Sequence, residues 1–158
     1  MIFNTEYKSY TEWYRYIKWY ISANRSSPWV TQMSEFEICD NSWTKMARPS
    51  WTSITADKAW HSWEWIDKLI DGSTSTKYCT PNNPPITITI DLWTTVDFST
   101  YNKYKRYTAN DAYQRDPISW TISVSNDGSN WTEVSSVSNA SITTSRNTLA
   151  WTWDITIS

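Results

Sequence analysis

The chain has 158 residues and a formal net charge of −2, which predicts one domain, residues 1–158, with a single core. This charge gives no electrostatic case for binding nucleic acid or an anionic membrane surface. No apolar run approaches the roughly 20 residues that a membrane-spanning helix needs, so membrane insertion is not expected.

Alternation of apolar and polar residues at period two is the main structural signal in the sequence. It predicts strands, in chain order, over residues 17–21, 30–38, 86–92, 118–124 and 149–157. Three tryptophans fall in the apolar phase of these strands and are expected in the core: Trp19, Trp151 and Trp153.

Turn signals separate the predicted strands. Asp127-Gly128 supplies the positive φ that a tight reversal needs, and the prolines of residues 80–85 predict a loop. At most one turn of helix is expected, within residues 59–69. The whole pattern predicts an all-β domain with turns at sandwich spacing.

The N-terminal segment MIFNTEYKSYTEWYRY lacks the basic start and apolar stretch of a secretory signal. We therefore expect a protein that stays inside, is released by lysis or leaves by another route. Cys39 and Cys79 are too few for a disulfide framework. Two free thiols are favoured, with one bridge as the alternative.

Three stretches carry a resemblance to a known family: IDGSTSTKY (70–78), residues 88–134 with the hairpin motif SNDGSNW, and YIKWYISANRSSPWVTQMSEFEI (16–38). Together they resemble the coagulation-factor type C or discoidin domains. The resemblance implies a galactose-binding-like jelly-roll β-sandwich of about eight antiparallel strands. Trp120 and Trp131 match aromatic positions of that family.

The order of these stretches departs from the family's order. Residues 8–42 resemble its closing strands but come first, and residues 43–158 resemble the remainder of the jelly roll. A circular permutation explains this order, because the termini of such domains tend to lie close together. The alternative is that the first strands complete a neighbouring subunit by strand addition.

The acidic turn of the first motif is a candidate calcium site. Calcium takes six to eight oxygens on a tightly curved loop, and the turn offers Asp71, Ser73 and Thr76. The resemblance implies a structural metal here, completed by Glu35 of the closing strand. The alternative is an Asp-Gly turn in which Asp71 bonds its own backbone and Glu35 is exposed.

Loops at one end of the predicted sandwich offer a sugar-binding rim. Sugars are held by an aromatic platform and a few fixed polar groups, and the candidates are His61, Glu64, Asn110, Asp111, Tyr113 and Arg115. Each has a structural alternative: a local ion pair between Arg115 and Asp116, a capped turn at Asn110-Asp111, and a plain surface loop at His61.

Catalytic machinery is sparse. With one histidine and no nucleophile elbow, acyl transfer is not expected. Glu64 and Asp111 leave a paired-carboxylate glycosidase conceivable, but the chain is not expected to be an enzyme. Cys39, Cys79 and one histidine do not have the spacing of a zinc site. The segment YTEWYRYIKWY suits a sheet with an exposed tyrosine face better than base stacking.

Thirteen tryptophans and two glycines are an unusual balance. Trp63, Trp65 and Trp93 stand where the resemblance leads us to expect glycine, in turns that need positive φ. One interpretation is a true substitution that creates an aromatic surface. The other is a codon that the source reads as glycine.

Two functions remain open from the sequence. The resemblance implies a non-catalytic carbohydrate-binding or adhesion module whose partners are glycans or glycoconjugates. The alternative is a purely structural, self-assembling subunit of a capsid decoration, fibre or filament, whose partners are copies of itself or other assembly components. Both predict an extracellular, surface or virion-associated location.

Overall fold

The computed structural model describes residues 12–27 and 29–157. Of the predicted closing-strand segment 8–42, residues 8–11 and 28 lie outside this part of the chain. The described residues form ten strands: β1 (Trp13–Asn24), β2 (Thr31–Met33), β3 (Phe36–Cys39), β4 (Ser53–Ala56), β5 (Tyr78–Thr80), β6 (Ile86–Asp97), β7 (Lys103–Tyr107), β8 (Pro117–Ser125), β9 (Thr132–Val137) and β10 (Leu149–Asp154).

The strands form three antiparallel sheets. The largest has the order β4-β6-β1-β8-β9, the second β10-β7-β3, and the smallest pairs β2 with β5. The first strand of the described residues, β1, therefore lies at the centre of the five-stranded sheet.

Packing between the two larger sheets forms the core. In β1, Ile17, Trp19 and Ile21 alternate with more exposed residues and point inward. Trp19 lies 4.9 Å from Phe36 of β3, measured between ring centroids. Across the same interface the indole N–H of Trp120 donates to the Tyr104 hydroxyl at 2.9 Å. The predicted all-β sandwich is confirmed, with ten described strands where about eight were expected.

The predicted strand over residues 30–38 is in fact two strands in different sheets. β2 pairs with β5, whereas β3 pairs with β7. Between them the Ser34 hydroxyl donates to the Thr108 carbonyl at 2.8 Å, and the Glu35 side chain turns inward to 1% exposure. Buried polar bonds at this junction break the alternation that predicted one continuous strand.

The last predicted strand ends earlier than expected, and its apolar face is not fully buried. β10 ends at Asp154 and lies at the edge of its sheet. Trp151 packs on Trp120 at 6.0 Å between ring centroids, but Trp153 stacks on Trp151 at 5.5 Å and remains 44% exposed. The prediction of a core Trp153 was wrong because an edge strand has no neighbour on one side.

Local turns follow the sequence signals. Gly128 has φ of +71°, and Asp127 Oδ1 accepts the amide N–H groups of Ser129 and Asn130 at 2.8 and 2.7 Å. The expected helical turn is a 3₁₀ helix at Ile66–Leu69. Cys39 and Cys79 are free thiols, the interpretation favoured from the sequence, and both are buried. No helix within the described residues has the length and apolarity to cross a membrane.

Candidate functional site

The structure brings Glu35 to the acidic turn. Both carboxylate oxygens of Glu35 accept the amide N–H of Gly72, at 3.1 and 3.2 Å. Glu35 lies between β2 and β3, while Gly72 follows the 3₁₀ helix, so the contact joins distant parts of the chain. The alternative interpretation expected Glu35 to be exposed, and its burial shows that this expectation was wrong.

The turn also makes the internal bonds of an ordinary Asp-Gly turn. Asp71 Oδ1 accepts the Ser73 N–H at 2.9 Å, and the Thr76 hydroxyl donates to Asp71 Oδ2 at 2.7 Å. Gly72 has φ of +83°, a conformation that glycine adopts without steric cost. The Asp-Gly turn of the second interpretation is therefore present, together with the contact of Glu35 that the resemblance implied.

Cationic side chains surround the turn. Lys45 Nζ lies 3.0 Å from Glu35 Oε1 and 3.2 Å from Glu37 Oε1, three residues we call the Lys45 cluster. Arg48 donates to the Ile70 carbonyl, and Lys68 Nζ lies 3.5 Å from Asp71 Oδ2.

This arrangement does not fit a calcium ion. Calcium needs oxygen lone pairs directed at one point, but the oxygens of Glu35 and Ile70 are already bonded to Gly72, Lys45 and Arg48. Among the residues that the structure describes, no three His, Cys, Asp or Glu side chains group as a metal site. Calcium at this turn stays a prediction from the resemblance, and the bonded oxygens count against it.

Burial dominates the electrostatics of Glu35. Loss of solvent raises the pKa of its carboxyl to about 7, although the bonds from Lys45 and Gly72 act in the opposite direction. The carboxylate is ionised above that pH, where the Lys45 ammonium compensates its charge.

A second lysine gathers several of the predicted sugar-binding residues. Lys77 Nζ lies 2.9 Å from Asp111 Oδ1 and 3.3 Å from Glu64 Oε1. It also donates to Gln32 Oε1 at 3.2 Å. The lysine itself is nearly buried, while the Glu64 and Asp111 side chains are 30% and 50% exposed. We call these four residues the Lys77 cluster.

The backbone around Asp111 is held from two sides. Its carbonyl accepts Gln32 Nε2 at 2.5 Å and Arg146 Nη1 at 3.0 Å. Burial acts to raise the pKa of the Asp111 carboxyl, but the bonds from Lys77 and Gln32 outweigh it and hold the pKa below its ordinary value. Asp111 is therefore a fixed, ionised acceptor at neutral pH.

Arg115 does not form the ion pair predicted with Asp116. Asp116 is fully buried and accepts two bonds from Arg146, at 3.0 and 2.6 Å. Arg115 Nη1 instead lies 3.9 Å from Asp111 Oδ2. This contact adds Arg115 to the rim of the Lys77 cluster and leaves its guanidinium partly exposed.

The remaining predicted rim residues are exposed. Tyr113 is 42% exposed, and the Arg25 guanidinium lies 5.4 Å from its ring centroid. Asn110 and His61 lie on the surface, and the backbone N–H of His61 donates to the Cys79 carbonyl at 2.9 Å.

Sequence reasoning missed Gln32 and Lys77 as part of this site. Lys77 lies in the quoted motif IDGSTSTKY, beside the strand β5 that pairs with β2, which contains Gln32. The pairing of these two short strands brings the side chains together. No local pattern in the sequence indicates that pairing.

Fold and site together define a class of protein: an antiparallel β-sandwich with ordered, partly exposed polar loops at one rim. A family model described as "NedA-like, galactose-binding domain", of the F5/F8 type C group, matches residues 68–152. This is more than half of the chain, and the protein belongs to that family. No curated protein and no solved structure matches the chain significantly.

Proposed function

We propose that the protein is a non-catalytic carbohydrate-binding or adhesion module whose sugar site is the Lys77 cluster with Arg115 and Tyr113. One observation carries this proposal: Lys77 fixes the carboxylates of Glu64 and Asp111 side by side while both remain partly exposed. Sugar sites use a few convergent polar groups of this kind to fix the orientation of the hydroxyls.

Tyr113 and Arg115 complete the proposed site. The exposed ring of Tyr113 offers an apolar face to the C–H face of a sugar. Arg115, partly exposed beside Asp111, can donate a forked pair of bonds to neighbouring hydroxyls or to a ligand carboxylate.

The same geometry supports binding rather than glycoside hydrolysis. A glycosidase needs one carboxylic acid with a raised pKa as its proton donor. In the Lys77 cluster one ammonium compensates both carboxylates, and the pKa of Asp111 is lowered. Glu64 and Asp111 therefore suit the role of hydroxyl acceptors.

A glycan array that includes galactose tests the proposal, followed by titration of the best ligand. We expect saturable binding that Asp111→Ala and Tyr113→Ala each weaken at least about tenfold. Asp154→Ala is the control, because Asp154 is an exposed carboxylate paired with a different lysine, Lys103. Silence on the array, or equal loss in the control, would contradict the proposal.

A purely structural subunit of a virion, fibre or surface assembly is the second candidate. Large exposed tryptophans favour it, such as Trp29 at 75% exposure, because exposed apolar patches mark association surfaces. Ordered particles or filaments under the electron microscope, together with silence on the glycan array, would favour this candidate. Both candidates imply a protein at a surface, in a virion or outside the cell.

We also propose that residues 8–42 complete the fold of their own chain through circular permutation. The central position of β1, between β6 and β8 of the same chain, supports this. A monomer that stays folded at high dilution is the expected result. Unfolding on dilution would favour strand donation between subunits.

A further inference from the structure

We propose that the ammonium of Lys45 takes the place of a metal at the acidic turn, so that the turn is tied to β3 without calcium. The resemblance implies calcium here, and the disagreement between that expectation and the residues present is the basis of the proposal.

The position of Lys45 is the first argument. Its Nζ contacts two carboxylates, those of Glu35 and Glu37, and lies 3.9 Å from the point where a Cβ on Gly72 would be. The ammonium is thus close both to the turn and to the Glu35 carboxylate that contacts the turn. A cation bound between Glu35 and the turn would have to displace it.

The backbone oxygens are the second argument. The Ile70 carbonyl, at the start of the turn, accepts a hydrogen bond from Arg48, so it is not directed at an open position. Lys68 adds a third positive charge 3.5 Å from Asp71. A divalent cation would meet three cationic side chains within a few ångströms, and like charges at that separation repel strongly.

The connection made by Lys45 matches the one that a structural metal would make. Lys45 lies in the segment after β3 and forms an isolated bridge with Cys39. Its side chain joins that segment to Glu35, and Glu35 joins the turn through the Gly72 N–H. The Lys45 ammonium and the Glu35 carboxylate therefore connect three separate segments.

Thermal unfolding of the full chain at about pH 8, with calcium or with chelator, tests the proposal; Glu35 is ionised there. We expect the same Tm in both conditions for the unsubstituted protein. A bound calcium ion would instead raise Tm by about 5 °C or more for a chain of this size.

The variant Lys45→Ala gives the second readout. We expect its Tm to fall by roughly 4 °C in chelator, because a buried carboxylate loses its partner, and calcium to restore part of the loss. Lys58→Ala, a lysine without an ion pair in the described part of the chain, is the matched control. A calcium-stabilised unsubstituted protein, or a Lys45→Ala variant no less stable than Lys58→Ala, would overturn the proposal.

A separate observation concerns the backbone at four tryptophans. Trp43, Trp51, Trp63 and Trp93 have φ of +64°, +68°, +69° and +58°. Bulky residues rarely adopt this left-handed conformation, because Cβ crowds the following carbonyl. The two glycines of the chain, at +83° and +71°, share it.

We infer that positions 43, 51, 63 and 93 are glycine in the natural protein, through a codon that its source reads as glycine. Trp51, Trp63 and Trp93 are more than half exposed and so contribute little to the core. Trp65, also a candidate from the sequence, has φ of −69° and needs no glycine. Trp19 and Trp120 are buried in strands and do not have positive φ, so we infer that they are true tryptophans.

The gene and the natural protein both test this inference. UGG encodes tryptophan, whereas UGA is read as tryptophan in some genetic codes and differently in others. We expect UGA at all four positions, UGG at Trp19 and Trp120, and glycine in peptides of the natural protein at the four positions. UGG codons at these positions, or tryptophan in those peptides, would overturn the inference.

Discussion

Two clusters in this molecule each hold one lysine between two carboxylates, and they differ in burial. In the Lys45 cluster the carboxylates of Glu35 and Glu37 are almost hidden from solvent, and the lysine is the exposed member. In the Lys77 cluster the lysine is nearly buried, and the carboxylates of Glu64 and Asp111 face outward.

This difference indicates what each cluster can do. A buried carboxylate that loses its partner is strongly destabilising, whereas exposed pairs contribute little to stability. Oxygens that face solvent can accept bonds from a ligand, and hidden oxygens cannot. The Lys45 cluster therefore suits a structural role and the Lys77 cluster a binding role.

The largest expected effect is on stability. Glu35→Ala leaves the Gly72 N–H without its acceptor and removes the partner of Lys45, so we expect a loss of about 3 kcal/mol in the free energy of unfolding. Glu64→Ala should change it by no more than about 1 kcal/mol. Urea unfolding measures both, and equal losses would contradict the distinction between the clusters.

The next effect is on binding. Asp111→Ala is expected to weaken sugar binding at least tenfold, about 1.4 kcal/mol, because a fixed acceptor is lost. Its free energy of unfolding should change by less than about 1 kcal/mol. Calorimetric titration and urea unfolding of one preparation separate the two quantities. Normal sugar binding by Asp111→Ala would show that Asp111 is not part of the binding site.

A smaller effect is expected at the paired tryptophans beside Glu64. Trp63 and Trp65 stack on each other at 5.8 Å, but only Trp63 has positive φ. Trp63→Gly should raise the free energy of unfolding by about 1 kcal/mol through release of backbone strain. Trp65→Gly is the matched control and should not raise it. A stabilising effect of both would show that φ is not the cause.

The smallest effect is expected from pH. A carboxyl whose pKa is lowered in the folded protein contributes stability above its unfolded pKa and loses it as pH falls through the folded value. Asp111 is such a group, because its pKa is lowered. Its carboxylate therefore stays ionised from about pH 6 to pH 8, and the contribution of Asp111 to sugar affinity should be constant over that range. Affinity that falls steadily within this range would implicate a different titrating group.

Much of the fold could be predicted from the sequence, because alternation at period two is a local property. It located β8 to within one residue at each end and β6 at its start, although β6 continues past the predicted end at residue 92 to Asp97. It failed at residues 30–38 and at Trp153, where buried polar bonds and an edge position decide the outcome. Neither is visible in a local pattern.

The site was predicted less completely. The family resemblance predicted that Glu35 lies at the acidic turn. Residue type alone indicated Asp111, Glu64 and Arg115 as candidates for the sugar site. Lys77 and Lys45 were missed, since the partner of a lysine depends on strand pairing between distant segments. Trp43 and Trp51 were missed as positions of left-handed backbone, because residue type gives no indication of φ.

The most direct test compares the two clusters in one experiment, by titration of the protein with galactose followed in backbone-amide NMR spectra. We expect the signals of Glu64, Lys77 and residues 110–115 to shift in a saturable manner, while those of Glu35, Lys45 and Gly72 remain in place. Shifts confined to Glu35, Lys45 and Gly72 would contradict the assignment of binding to the Lys77 cluster and of structure to the Lys45 cluster.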